Sequence, residues 1–150
     1  MPEDKEALIA HYRRMREGLL AAIDGLSDEQ MAERTLDGWS VKDHIAHLAF
    51  WDDIRAADVK RASAGHESVW RMTPEQEAAF GVLAHDLRRD ISLAQARWEL
   101  AVSHHRLLEA LAAATARALD PSLYGDAALR STHEAEHTGW IARWRAERAF

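Results

Sequence analysis

The 150-residue chain contains no cysteine. Disulfides, a thiol nucleophile and thiolate metal sites are thereby excluded, so any transition-metal site must draw on His, Asp or Glu. Proline and glycine are scarce, at three and seven. No stretch of four or more residues alternates apolar and polar side chains with the Val, Ile, Thr and aromatic enrichment of a strand, so strands are not expected. No apolar run approaches the roughly 18 residues needed to cross a bilayer. The charged start Met1-Pro2-Glu3-Asp4-Lys5-Glu6 lacks the apolar stretch of a secretory signal, so the expectation is a cytoplasmic protein with no membrane partner. Positive charge is in deficit as well. The net charge is −6, and the arginines are scattered along the chain, which argues against nucleic acid as a partner.

What remains is a globular composition, 47% hydrophobic and 29% charged, of a length that buries roughly two-thirds of the unfolded surface in one core. With no internal repeat, linker or low-complexity tract, residues 1–150 are expected to form one all-α domain. Leu8, Tyr12, Met15, Leu19, Ile23 and Leu26 recur at steps of three and four and predict a first helix over about 3–24, with Gly25 at its end. Ser40 and Asp43 form a cap for a second helix reaching about 62. Thr73-Pro74-Glu75-Gln76 starts a short extra helix over about 74–88, with Phe80, Leu83 and Leu87 as its apolar positions. Ser92 caps a third main helix over about 92–115. Residues 120–126, from Asp120-Pro121 to Gly125-Asp126, break the pattern, and Ser131 with Glu134 spells a capping box before a last helix over about 132–148.

Nine histidines are many for this length. On the last helix His133, His137, Trp140 and Trp144 share one stripe, and that face is expected to turn inward because exposing two tryptophans forfeits roughly 2 kcal/mol each. On the second helix His44, His47, Trp51 and Ile54 follow the same rhythm. An i, i+4 histidine pair with a single histidine from a facing helix supplies three nitrogen ligands and leaves positions for water or substrate. His47, His133 and His137 are therefore the candidate metal ligands, and Glu134 is the candidate proton carrier beside them. His44 is a candidate support for a ligand, and His104 a core or interface residue. His11, His66, His85 and His105 are expected at the surface. Asp52 and Asp53 are expected to solvate the second helix, unless one accepts a hydrogen bond from a ligand imidazole.

Two motifs compete for these letters. His133-Glu134-Ala135-Glu136-His137 satisfies H-E-x-x-H, the zincin pattern. A zincin also needs a downstream ligand and a sheet edge for its peptide substrate, and neither is expected here. Glu134-x-x-His137 matches the ligand spacing of di-iron bundles, which need a second such motif, and none occurs.

Gly38-Trp39-Ser40-Val41-Lys42-Asp43-His44-Ile45-Ala46-His47-Leu48 resembles the signature of the DinB-like superfamily, and His133-x-x-x-His137 resembles its second motif. The resemblance spans essentially the whole chain. It implies an up-down-down-up four-helix bundle, frequently a homodimer, with a divalent ion held by the three histidines. Relatives include transferases and isomerases that use low-molecular-weight thiols, such as mycothiol-dependent maleylpyruvate isomerase and bacillithiol transferases. The implied function is a metal-dependent enzyme acting on a small molecule, a thiol-dependent transferase or isomerase or else a hydrolase. Zinc is the first expectation for the metal, with nickel or iron as other possibilities, and a thiol is the expected cosubstrate. The alternative from another class is a non-enzymatic helical domain that binds a small molecule or protein, its histidines merely packed. Surplus tryptophans such as Trp70 and Trp98 are candidates for a subunit interface.

Overall fold

The computed structural model describes residues 1–69, 71–125 and 129–150; Trp70 and Asp126 lie outside the described residues. It is all-helical: α1 (Lys5–Ile23), α2 (Asp28–Ala32), α3 (Val41–Ser63), α4 (Pro74–Arg88), α5 (Leu93–Ala112) and α6 (His133–Arg148), with a 3-10 turn at Pro121–Tyr124. The expected helices fall within a few residues of their observed ends. The five-residue α2 was not expected, although Ser27 and Gln30 close a capping box at its start.

Cross-helix contacts fix the directions. Tyr12 and Arg16 of α1 meet Arg55 and Asp52 of α3 in reverse order, so α1 and α3 are antiparallel. Lys42 reaches the start of α5 at the Ile91 carbonyl, and Asp53 meets Arg106, so α3 and α5 run parallel. His11 and Arg145 tie α1 to α6 in parallel order, through the carbonyls of Ser131 and Ala22. The bundle is up-down-down-up. The parallel α3–α5 pair requires a long return connection, and α4 lies in it.

Two apolar clusters hold the helices together. One gathers Leu8, Tyr12, Val59, Leu107 and Leu111, and the other Leu19, Met31, Val41, Ile45, Leu100, Ile141 and Trp144. Each fully buried Leu or Ile among them contributes about 1.5–3 kcal/mol. Between these clusters lies a charged layer. Arg16 donates to the carboxylates of Asp52 on α3 and Glu134 on α6 and to the Leu100 carbonyl on α5, so one guanidinium from α1 joins all four long helices.

Three expectations are corrected. Asp52 is buried on Arg16 rather than solvating its helix. The capping box at Ser131 and Glu134 does not form: α6 starts after Thr132 without a side-chain cap, because Glu134 turns inward to Arg16, while Ser131 Oγ accepts only from the His133 amide. The apolar stripe of α4 is not buried either: Leu83 is 53% exposed and Leu87 74%, leaving Ala84 as the helix's buried residue. Trp98 is exposed. No helix among the described residues is long and apolar enough to cross a membrane.

Candidate metal centre

The loop before α3 is a tight turn. Thr35 and Trp39 pair through their backbones, Gly38 donates to the Thr35 carbonyl, and Gly38 sits at φ +87°, a conformation glycine adopts without strain. Ser40 and Asp43 then form the expected capping box that starts α3. This geometry sets Trp39 over the histidines of the bundle. Its ring lies 5.0 Å from that of His47, 5.6 Å from His44 and 6.3 Å from His137, and it stacks on His85 of α4 at 4.4 Å with planes 8° apart. His85, expected at the surface, is thus half-buried beside the site; nothing in its own spacing marks it, because the contact is made by a loop and a separate helix.

His47 from α3 and His133 and His137 from α6 converge. The Nε2 atom of His133 lies 3.2 Å from that of His47 and 3.0 Å from that of His137. One donor atom from each ring can be chosen so that all three lie within 4.8 Å of one another. Burial, reinforced by the facing imidazoles, pushes His137 down to about 2 and His47 to about 3. Burial and then the Arg55 charge push His133 to about 4. All three rings are therefore neutral near pH 7, each with one N–H and one lone pair.

Neutral imidazoles cannot satisfy this arrangement among themselves. His133 Nε2 has one site, a proton or a lone pair, for two facing nitrogens. The donor set instead fits a divalent cation. Ligand nitrogens about 2.0–2.1 Å from a tetrahedral zinc stand about 3.3–3.4 Å apart, close to the separations found.

The rings are held in different ways. His137 Nδ1 lies 2.7 Å from Nδ1 of His44, a fully buried residue. His47 Nδ1 is buried with no hydrogen-bond partner among the described residues, and its ring is placed by packing against Trp39 and Trp51. Trp144 is buried as its stripe predicts, whereas Trp140 is 41% exposed and packs edge-on against His137 at the rim. Beside His47, between α3 and α4, is a cavity of about 10 Å³ reached by Phe50, His85 and Arg88, room for about one water.

The other candidates separate cleanly. Glu134, expected to carry protons at the metal, has both carboxylate oxygens on Arg16. His104 is half-buried on α5, and burial together with Arg16 and Arg13 lowers it to about 4. His66 and His105 are exposed as expected, the latter facing Glu109. His11 is half-buried and hydrogen-bonded to the Ser131 carbonyl rather than solvated.

No curated protein matches the chain. A crystal structure of an uncharacterised protein from Escherichia coli UTI89 is similar over 100% of this chain and 97% of that one, with a TM-score of 0.77 at 12% identity, a likeness that shows the fold. The family model of the DinB superfamily matches residues 11–141, a span that includes the Gly38-to-Leu48 motif and all three converging histidines. The chain belongs to the DinB superfamily.

Proposed function

We propose that this chain is a divalent-metal-dependent enzyme whose ion is held by His47, His133 and His137. The observation that carries the proposal is the convergence of three neutral imidazole nitrogens, with separations of 3.0 and 3.2 Å, in a half-buried site with no facing carboxylate among the described residues to neutralise them as cations. When bound, the ion supplies a Lewis acid that polarises a substrate or lowers the pKa of a bound water or thiol. Zinc is the first choice for three imidazoles, with nickel or iron next. The thiol-dependent transferases and isomerases of the family make a low-molecular-weight thiol the proposed cosubstrate, and a small molecule the proposed substrate.

The chain's own residues prepare the site. Trp39 and Trp51 pack edge-on against His47. His85 and Arg88 line the approach between α3 and α4, the side from which His47 is reached. Glu134 is held by Arg16 and fixes the start of α6, so that His133 and His137 are presented from a clamped helix. We assign it to that clamp rather than to proton transfer. Residues 1–150 are proposed to work as one domain.

One observation favours a second class of function. The space beside His47 holds about one water, so a substrate needs α4 to yield, and a packed, non-enzymatic binding bundle needs no such movement. Elemental analysis of untagged protein separates the two. The expected result is about one divalent ion per chain in the wild type and little in His47→Ala or His137→Ala. A wild type that stays metal-free after reconstitution overturns the metal reading and leaves the binding bundle.

A further inference from the structure

Behind His137 a chain of hydrogen-bonding groups leads away from the three-histidine centre. His44, on α3 one turn before His47, is completely buried. Its Nδ1 lies 2.7 Å from His137 Nδ1, and its Nε2 lies 3.3 Å from both Asp37 Oδ1 and Thr35 Oγ1. Asp37 in turn accepts from the Trp39 amide at 3.1 Å and from the Thr35 hydroxyl at 2.8 Å. The Asp37 side chain is 40% exposed, so the chain runs from the bundle interior to the surface.

The protons along this path have one consistent order. An ionised carboxylate only accepts. Burial acts to raise Asp37, but hydrogen bonds from Thr35 and Trp39 and the facing His44 outweigh it and hold the group below the usual carboxylate range. The Thr35 hydroxyl has closer acceptors in the Trp39 carbonyl at 2.6 Å and in Asp37 itself, so it does not donate to His44. The proton on a neutral His44 therefore sits on Nε2, facing Asp37, and its Nδ1 is a lone pair. That lone pair accepts from His137 Nδ1–H, and a neutral His137 with its proton on Nδ1 has its Nε2 lone pair turned toward His133 and His47.

We infer that Asp37 and His44 are positioning residues that fix the tautomer and orientation of His137, so that its Nε2 is committed as a donor to the metal. The inference rests on the metal site proposed above. It goes beyond it in assigning a role to the His44–Asp37 arm; His47 Nδ1 has no hydrogen-bond partner among the described residues. A hydrogen-bonded imidazole is the more basic ligand, and removing such support costs a metal site roughly 10–100-fold in affinity.

The test uses the full chain, with zinc as probe and chelator competition as readout, alongside imidazole 15N NMR of the metal-free protein. His44→Leu is expected to weaken zinc binding roughly 10–100-fold and to mix the His137 tautomers. His44→Gln, whose amide can accept from His137 and donate to Asp37, is expected to restore most of the affinity, and Asp37→Asn to fall between wild type and His44→Leu. Circular dichroism checks that each variant is folded. Finding the His137 proton on Nε2 in the metal-free wild type overturns the inference. So does wild-type affinity in folded His44→Leu, or a His44→Gln as weak as His44→Leu. The NMR arm needs no metal, so a wild type that binds no zinc sinks the metal reading while the tautomer still decides the arm.

Discussion

Two groups of buried polar side chains sit next to each other on the same helices and are resolved in opposite ways. Asp52 and Glu134 are closed by Arg16, which arrives from α1 and also binds the Leu100 carbonyl, so each of its three nitrogens meets an acceptor. Beside them on α3 and α6, His47, His133 and His137 face one another with no counter-charge among the described residues, and their neutrality comes first from burial. A polar cluster that satisfies itself is a structural joint. One that leaves lone pairs converging needs something that is not a side chain. The difference separates scaffold from site even though both clusters are conspicuous in a bundle core.

The largest effect expected from breaking this contrast falls on the joint. Arg16→Met leaves two buried carboxylates facing each other, and removing one member of a buried ion pair costs about 3–5 kcal/mol. Urea denaturation of the metal-free protein should show that loss. A loss below about 1 kcal/mol would mean that Asp52 and Glu134 find water when Arg16 is gone, and that the clasp is no joint.

The two clusters also respond to pH with opposite sign. Each of these histidines is neutral when folded and protonates near 6.5 when unfolded, so its contribution is present above that pH and is lost as pH falls toward about 4, 3 and 2 for His133, His47 and His137. Burial pushes Asp52 up to about 6 despite Arg16, so its contribution is full below its unfolded value of 3.8 and is lost as pH rises through 6. Between pH 6 and 4.5 the three histidines outweigh the one aspartate. These four groups alone should cost metal-free protein about 2–3 kcal/mol per pH unit on acidification, and His104, lowered to about 4, adds in the same direction. Urea midpoints at pH 6, 5 and 4.5 measure it, and a flat profile would show that the histidines are not held neutral.

Zinc should bind at one cluster alone. Free zinc at ten times its dissociation constant stabilises a one-site protein by about 1.4 kcal/mol. That gain should vanish in His133→Ala and shrink without vanishing in Arg16→Met, where α6 loses its clamp but keeps its ligands, as thermal melts with and without zinc would show. An undiminished gain in Arg16→Met would mean that the clasp has no part in presenting His133 and His137.

How much of this the sequence reveals depends on how local the cause is. Ser40 with Asp43, Thr73 with Gln76 and Ser92 with its own N3 amide cap helices by contacts three residues apart, and all three form as expected. The converging histidines are legible for the same reason, since spacings of four on α6 and a matching stripe on α3 leave few ways to face. The clasp joins residues 36, 84 and 118 positions apart, so no helical window contains it. Its trace is that Arg16, Asp52 and Glu134 each occupy a position of the buried stripe of their helix, between Tyr12 and Leu19, Ala49 and Ala56, and ahead of His137 and Ile141. Asp52 reads as solvated because its partner, Arg16, lies on another helix. Asp37, in a loop, carries no periodic signal at all, and its role depends on the turn that Gly38 permits.

The smallest predicted effect follows from that misjudged start of α6. Ser40→Ala removes a complete capping box and should cost about 1 kcal/mol. Ser131→Ala removes only a hydroxyl that accepts from the His133 amide, 3.1 Å away, at a helix end where Glu134 has already been drawn to Arg16. Its cost should be about 0.5 kcal/mol, the low end of the range for caps, with zinc affinity unchanged, because α6 is held by the clasp. A larger loss than in Ser40→Ala, or weakened zinc binding, would show that the helix end rather than Arg16 sets the position of His133 and His137. The joint and the site would then be independent of each other.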